Sequence, residues 1–234
     1  MEARGLNRTE MKLIAIFAMA VDHVALFLLS PGRRPDLFGL FALMRFFGRL
    51  TGPTMFFFLS EGFRRTSSRE RYGLRLLLFG LISQIPYALV RGHSLLYPDY
   101  NVILTLFVSF LVLSASEKIE NRGLNFAVVF ALILLTIRFD WGLVGPLLAW
   151  FFFRNADNRP LQRRFYALIS LIMVAAPCLH FLRIGLPWYG EIWQLGMFLF
   201  LPFLSLYNGE PGRPLKWLFY LFYPAHLFLL WLLK

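Results

Sequence analysis

From Phe41 to Arg75 the chain reads FALMRFFGRLTGPTMFFFLSEGFRRTSSRERYGLR. The part up to Phe63 is apolar and long enough to cross a bilayer, yet it contains Arg45, Arg49, Pro53 and Glu61. An ionised side chain at membrane depth costs at least about 2.5–3.5 kcal/mol, so such residues mark a functional site by default. Arg64, Arg65, Arg69, Arg71 and Arg75 then crowd the exit of the run and show which side it leaves by. Function therefore turns on what meets Arg45 and Arg49 inside the membrane.

Working outward, the same character extends along the chain. Of its 234 residues 58% are hydrophobic and 16% charged, against about a quarter charged in a soluble domain. Apolar runs near 20 residues recur throughout, which predicts an all-α integral membrane protein, a polytopic helical bundle. Nine candidate spans can be drawn: 12–30, 40–63, 72–90, 102–117, 123–137, 141–153, 165–182, 192–207 and 215–233. The fifth and sixth would rise only about 20 Å as helix, short of a core of about 30 Å, and can be a re-entrant pair. The expected count is thus seven to nine transmembrane helices. With no tandem repeat and no low-complexity linker, residues 1–234 read as a single transmembrane domain.

The net charge of +11 does not point to nucleic acid, because the basic residues fall in short loops. One side collects Arg4, Arg8 and Lys12, the five arginines from Arg64 to Arg75, Lys118 and Arg122, Arg154, Arg159, Arg163 and Arg164, and Arg213 and Lys216. The other has Arg33, Arg34, Arg91, Arg138, Arg183 and Lys234. Sixteen against six places the N-terminus in the cytoplasm. The first run carries Asp22 and His23 and lacks a small-x-small cleavage site, so it reads as an uncleaved first span. Cys178 is the sole cysteine, which excludes an intrachain disulfide and a cysteine metal cluster. No metal motif is present. Tyr97–Asn101 and Leu186–Gly190 read as external turns.

Inside the first span, Ala15, Ala18, Asp22 and Ala25 share a stripe of small residues along which another helix can approach. His23 lies about 100° round from Asp22, so the carboxylate should not orient the imidazole but find its partner on another span, with Arg45 or Arg49 the obvious choice. Pro53 leaves the Arg49 carbonyl without its helical partner and predicts a kink there. In the last span Pro224 acts similarly, with Tyr223 and His226 three apart on one face. His23 lies about 16 Å from Lys12 along its helix and His226 about 15 Å from Lys216, which puts both near mid-membrane.

Histidine can serve as general base and arginine as a clamp for phosphate or a developing oxyanion, with Asp22 and Glu61 as orienting carboxylates. No zinc-protease helix motif, nucleophile elbow, phosphate-binding loop or dinucleotide fingerprint is present. Acyl transfer to an amine or hydroxyl and proton-coupled transport both fit this set.

Met11–Ile16 leading to Asp22-His23 resembles the start of the TraX family, the conjugation-associated pilin acetylases. So do Gly48-Arg49-Leu50 with Pro53 and Phe56–Gly62, Tyr72–Leu76, Ile82–Tyr87, Asn101–Leu106, Asp140–Gly145 and Phe219–Leu227, in order over nearly the whole chain. The resemblance implies a multi-pass inner-membrane acetyltransferase of bacteria using acetyl-CoA as donor, with a pilin-like N-terminal amine as acceptor. With that activity, the residues' chemistry suggests His23 as base, Arg49 helped by Arg45 as the clamp, Asp22, Glu61, His226 and Tyr223 in support, and Arg64, Arg65, Arg69, Arg71 and Arg75 near the CoA phosphates. Thr54 and Met55, where relatives are expected to be bulkier and apolar, bear on the acceptor pocket. The rival reading is a proton-coupled transporter or a membrane assembly factor for a pilin-like partner.

Overall fold

The computed structural model describes residues 5–234, so Arg4, one of the residues used to orient the chain, lies outside the described residues. In chain order come α1 (Arg8–Leu28), α2 (Phe38–Gly48), α3 (Thr51–Arg65), α4 (Arg69–Arg91) and α5 (Val102–Lys118). These are followed by α6 (Arg122–Leu135), α7 (Val144–Arg154), α8 (Arg159–Arg183), a 3-10 run over Trp188–Leu199, α9 (Phe200–Ser205) and α10 (Lys216–Leu233). Among the described residues β-pairing is confined to two isolated bridges, Leu6–Tyr207 and Tyr100–Phe139. Four helices among the described residues, α1, α4, α8 and α10, are long and apolar enough to cross a membrane. The fifth and sixth candidate spans yield helices of 14 and 11 residues, as short as their apolar runs implied.

Two segments depart from the expected spans. The second divides: α2 ends at Gly48, Arg49 and Leu50 form a turn, and α3 begins at Thr51. The interruption thus falls one turn before Pro53, which sits in the first turn of the new helix, where its missing N–H has no intrahelical partner to lose. The eighth candidate span is shared between the 3-10 run, broken by non-helical backbone at Glu191 (φ −117°, ψ 26°), and the six-residue α9. Leu186–Gly190, expected as a turn, enters that run at Trp188.

The chain forms two compact units. The first takes the chain up to Thr54, Pro160–Lys216 and Leu233–Lys234; the second takes Met55–Arg159 and Trp217–Leu232. In the first, α1 packs on α2 and α2 on the 3-10 run, around Ala25, Phe41 and Trp193. Phe41 and Trp193 meet edge-on, ring centroids 5.1 Å apart, a preferred aromatic geometry. α1 is started by a reciprocal cap: Asn7 accepts from the Glu10 amide at 3.0 Å and Glu10 accepts from the Asn7 amide at 2.8 Å. The Thr9 hydroxyl donates to the carbonyls of Pro211 and Arg213, and the Leu6 amide to that of Leu206, tying this start to the loop before α10.

In the second unit α5 is central, packing against α4, α6 and α7. It buries residues on all its faces, including Ile103, Val108, Val112 and Leu113, as an enclosed helix must. Its cap, Asn101, is fully buried and satisfies four groups at once: it accepts from the amides of Ile103 and Leu104 and donates to Gly80 O and Gln84 Oε1.

Close approach in the first unit depends on Gly196, where a Cβ would sit 1.8 Å from the Phe46 carbonyl oxygen and under 3 Å from two of its backbone carbons. Gly196→Ala should therefore destabilise the protein by more than about 2 kcal/mol. Gly39→Ala, which meets nothing within 4 Å and improves helix propensity, should be neutral or better. Thermal unfolding of the detergent-purified variants checks the contrast.

Candidate functional site

The buried stripe of α1 presents Ala15, Ala18, Asp22 and Ala25, none more than 7% exposed. α2 lies against it, and the expected partnership forms with both arginines. Arg45 Nη1 donates to Asp22 Oδ2 at 2.6 Å, and Arg49 Nη2 reaches both carboxylate oxygens at 3.1 and 3.2 Å. All three side chains are at most 15% exposed. The local sequence explains the convergence. Arg45 occupies the last turn of α2, where the helix dipole favours a cation. Gly48 makes room, for a Cβ there would lie 2.2–2.4 Å from three Asp22 atoms. Thr51, just past the break, donates from its hydroxyl to the Ala15 carbonyl at 2.9 Å, locking α3's start to α1.

His23 is half-buried on the same turn of α1 as Asp22, its ring 5.7 Å from that of Phe27. In the same unit the fully buried Tyr166 of α8, which sequence reasoning missed, donates to the Met197 carbonyl at 2.7 Å and is within electrostatic reach of Arg49. One carboxylate thus gathers two guanidiniums on the same turn of α1 as His23. Such a group can hold a phosphate or steady an oxyanion.

The remaining candidate residues belong to the second unit. Glu61 is buried there, 3.3 Å from Arg65 and 3.9 Å from Arg159. Tyr223 is 2% exposed, and its ring is 5.4 Å from that of His226. His226 Nδ1 lies 2.8 Å from the Phe222 carbonyl, an acceptor that calls for the proton on Nδ1 and leaves Nε2 as the basic nitrogen. The arginine run is not gathered on one spot. Arg75 reaches the Tyr220 hydroxyl and lies over the Tyr72 ring, Arg65 serves Glu61, and Arg71 is exposed. Arg64 and Arg69 instead line a common cleft.

Sequence reasoning gave no chemical role to a second polar network in this unit. Asp99 accepts from the Tyr87 hydroxyl at 3.2 Å and Arg91 Nε at 2.5 Å, with His93 Nδ1 at 3.4 Å, while Gln84 donates to its backbone carbonyl. Thr105 donates to the Asp140 carbonyl at 2.6 Å, and Thr136 to that of Gly142 at 3.0 Å. Between those two anchors Trp141 adopts a left-handed backbone (φ 63°), a strained state for a bulky residue that only such fixed surroundings sustain. The signal that marks this network is a set of polar residues inside or at the very edge of apolar runs, Gln84 and Thr105 within them and Asn101 and Asp140 just before them.

Removing one member of a buried ion cluster leaves uncompensated charge, at a cost of roughly 3–5 kcal/mol. Asp22→Asn should destabilise the protein on that scale. Adding Arg45→Gln should recover part of the loss, because one of the two stranded cations is gone. Unfolding midpoints of the single and double variants measure the coupling.

Comparison with known proteins follows this geometry. The family model described as "TraX protein" matches residues 7–234. A curated relative from Dichelobacter nodosus, a "Probable fimbrial assembly protein FimC, serogroup H1", is 30% identical over 231 residues, covering 94% of this chain and 93% of that protein. No solved structure matches. With the family's model spanning it from the α1 cap to its last residue, the chain belongs to the TraX family.

Proposed function

We propose that this chain is a membrane-embedded acetyltransferase that moves an acetyl group from acetyl-CoA to an amine or hydroxyl acceptor, a pilin-like N-terminal amine foremost. The observation that carries the reading is the convergence of two buried arginines, Arg45 and Arg49, on Asp22 of α1, on the same turn as His23. Guanidiniums held in an apolar interior are costly to the fold and suit a developing negative charge. His23 accepts the proton as the acceptor nitrogen or oxygen bonds to the thioester carbon, and returns it to the CoA sulfur as the carbon–sulfur bond breaks. Arg49, helped by Arg45, stabilises the intermediate oxyanion, and Asp22 fixes both guanidiniums. Glu61, Tyr223 and His226 are assigned supporting roles in the reaction. In this reading the N-terminus is cytoplasmic, the chain crosses the bacterial inner membrane with seven to nine spans, and donor arrives from the arginine-rich side.

A second reading, an assembly factor that holds a pilin-like partner without modifying it, is favoured by the name of the Dichelobacter nodosus relative. Mass spectrometry of a pilin-like acceptor incubated with isotopically labelled acetyl-CoA and the reconstituted protein separates the two. Transfer should appear with the native chain and fall about 10²–10⁴-fold in His23→Ala, with the variant's unfolding midpoint retained. Undiminished transfer by a folded His23→Ala protein removes the base assignment. A stable complex that never yields acetylated acceptor favours the assembly factor.

A further inference from the structure

In the second unit a cleft of about 380 Å³ is lined by Arg64, Arg69 and Arg154, by Glu117 and Asp157, and by Phe153. Its size falls in the roughly 300–1,000 Å³ range of small-molecule sites. The end of α3, the start of α4, the ends of α5 and α7 and the turn after α7 supply these residues. Arg64 and Arg154 lie in the last turns of their helices, where the dipole favours a cation, and that suffices to explain an arginine at each. It does not explain why both turn with Arg69 onto one hollow.

The three arginines are held differently. Arg69 is fixed: Glu117 takes its guanidinium with both oxygens, and the Phe63 ring lies 4.4 Å from its central carbon. Arg64 is held loosely, 3.4 Å from an Asp157 carboxylate that is 93% exposed. Pairs so exposed contribute little and are readily exchanged for a stronger anion. Three guanidiniums against two carboxylates leave the cleft positive, and arginine's planar fork suits phosphate.

We propose that this cleft binds the phosphates of a nucleotide-linked acyl donor, the pyrophosphate and 3′-phosphate of coenzyme A, through Arg64 and Arg154. The proposal rests on the acetyl-CoA reading above and relocates its anion site. Arg154, which stands outside the arginine run, joins it, while Arg65, Arg71 and Arg75 do not line it. Arg69, clamped by Glu117, forms the wall. A phosphate ester is also the headgroup of an anionic lipid, so the two sources are tested apart.

The full chain is reconstituted in nanodiscs of zwitterionic lipid and titrated with coenzyme A and, separately, with inorganic pyrophosphate. A parallel set is made in nanodiscs containing anionic lipid. Arg154→Ala and Arg64→Ala should each weaken coenzyme A binding about tenfold or more. Arg154→Lys should weaken it less, and Arg122→Ala, exposed and outside the cleft, should leave it unchanged. Coenzyme A bound equally well by both alanine variants would overturn the cleft assignment and leave the donor reading standing. No coenzyme A binding by the native chain in either lipid removes both. If the cleft variants then lose only an enrichment of anionic lipid, the site belongs to headgroups.

Discussion

Asp22 on α1 is bound by Arg45 at 2.6 Å and by Arg49 at 3.1 Å, and a carboxylate gripped by two cations in apolar surroundings dictates how its neighbours are built. Small residues above and below it let α2 come close. Glycine is required at 48, the Asp22 atoms already filling the place of a side chain there. The helix ends at Gly48, Arg49 one turn beyond Arg45 reaches the same carboxylate, and Pro53 sits in the first turn of the next helix without breaking a bond. Buried ion pairs are poor stabilisers compared with well-packed apolar residues of similar volume.

The second unit solves a different problem, holding irregular backbone firmly among helices. Asn101 and Gln84 bind one another, Gln84 also holds the backbone of the loop residue Asp99, and two threonines grip the carbonyls on either side of Trp141. Buried backbone polar groups need such partners. The result is a rigid turn at Asp140–Gly142 that packs Trp141 against Phe56, ring centroids 6.1 Å apart.

Much of the first unit's site was legible because a charge inside an apolar run has few ways to be satisfied. Asp22 needed a cation from another helix, the small-residue stripe showed which face it used, and Arg45 and Arg49 were the arginines set deep within a span. The membrane character followed from apolar length, and four long helices carry it. What could not be read was set by distant contacts. Proline announced that the helix must give way where the Arg49 carbonyl loses its partner, but not that the chain would leave the helix for a turn at Arg49–Leu50 and split the span in two. The arginines from Arg64 to Arg75 looked like one patch because orientation bias does not encode the direction of individual side chains; Glu61 and Tyr220 divert two of them. Arg154 was invisible as their companion, since some 85 residues separate it from Arg69. The irregular run from Trp188 to Leu199 was hidden for a related reason: its composition is as apolar as a regular span.

The clasp that fastens the start of α1 to the loop before α10 has a bearing on biosynthesis. Asp22 meets its arginines 23 and 27 residues later, almost as soon as α2 leaves the ribosome. Thr9 waits for carbonyls 202 and 204 positions away. At about 5–20 residues per second that interval is roughly 10–40 s. The growing polypeptide therefore carries its ionic centre assembled but its amino-terminal fastening open for nearly the whole of translation. Any nonsense mutation that stops short of Pro211 leaves the first helix without its anchor, however intact the sequence around it.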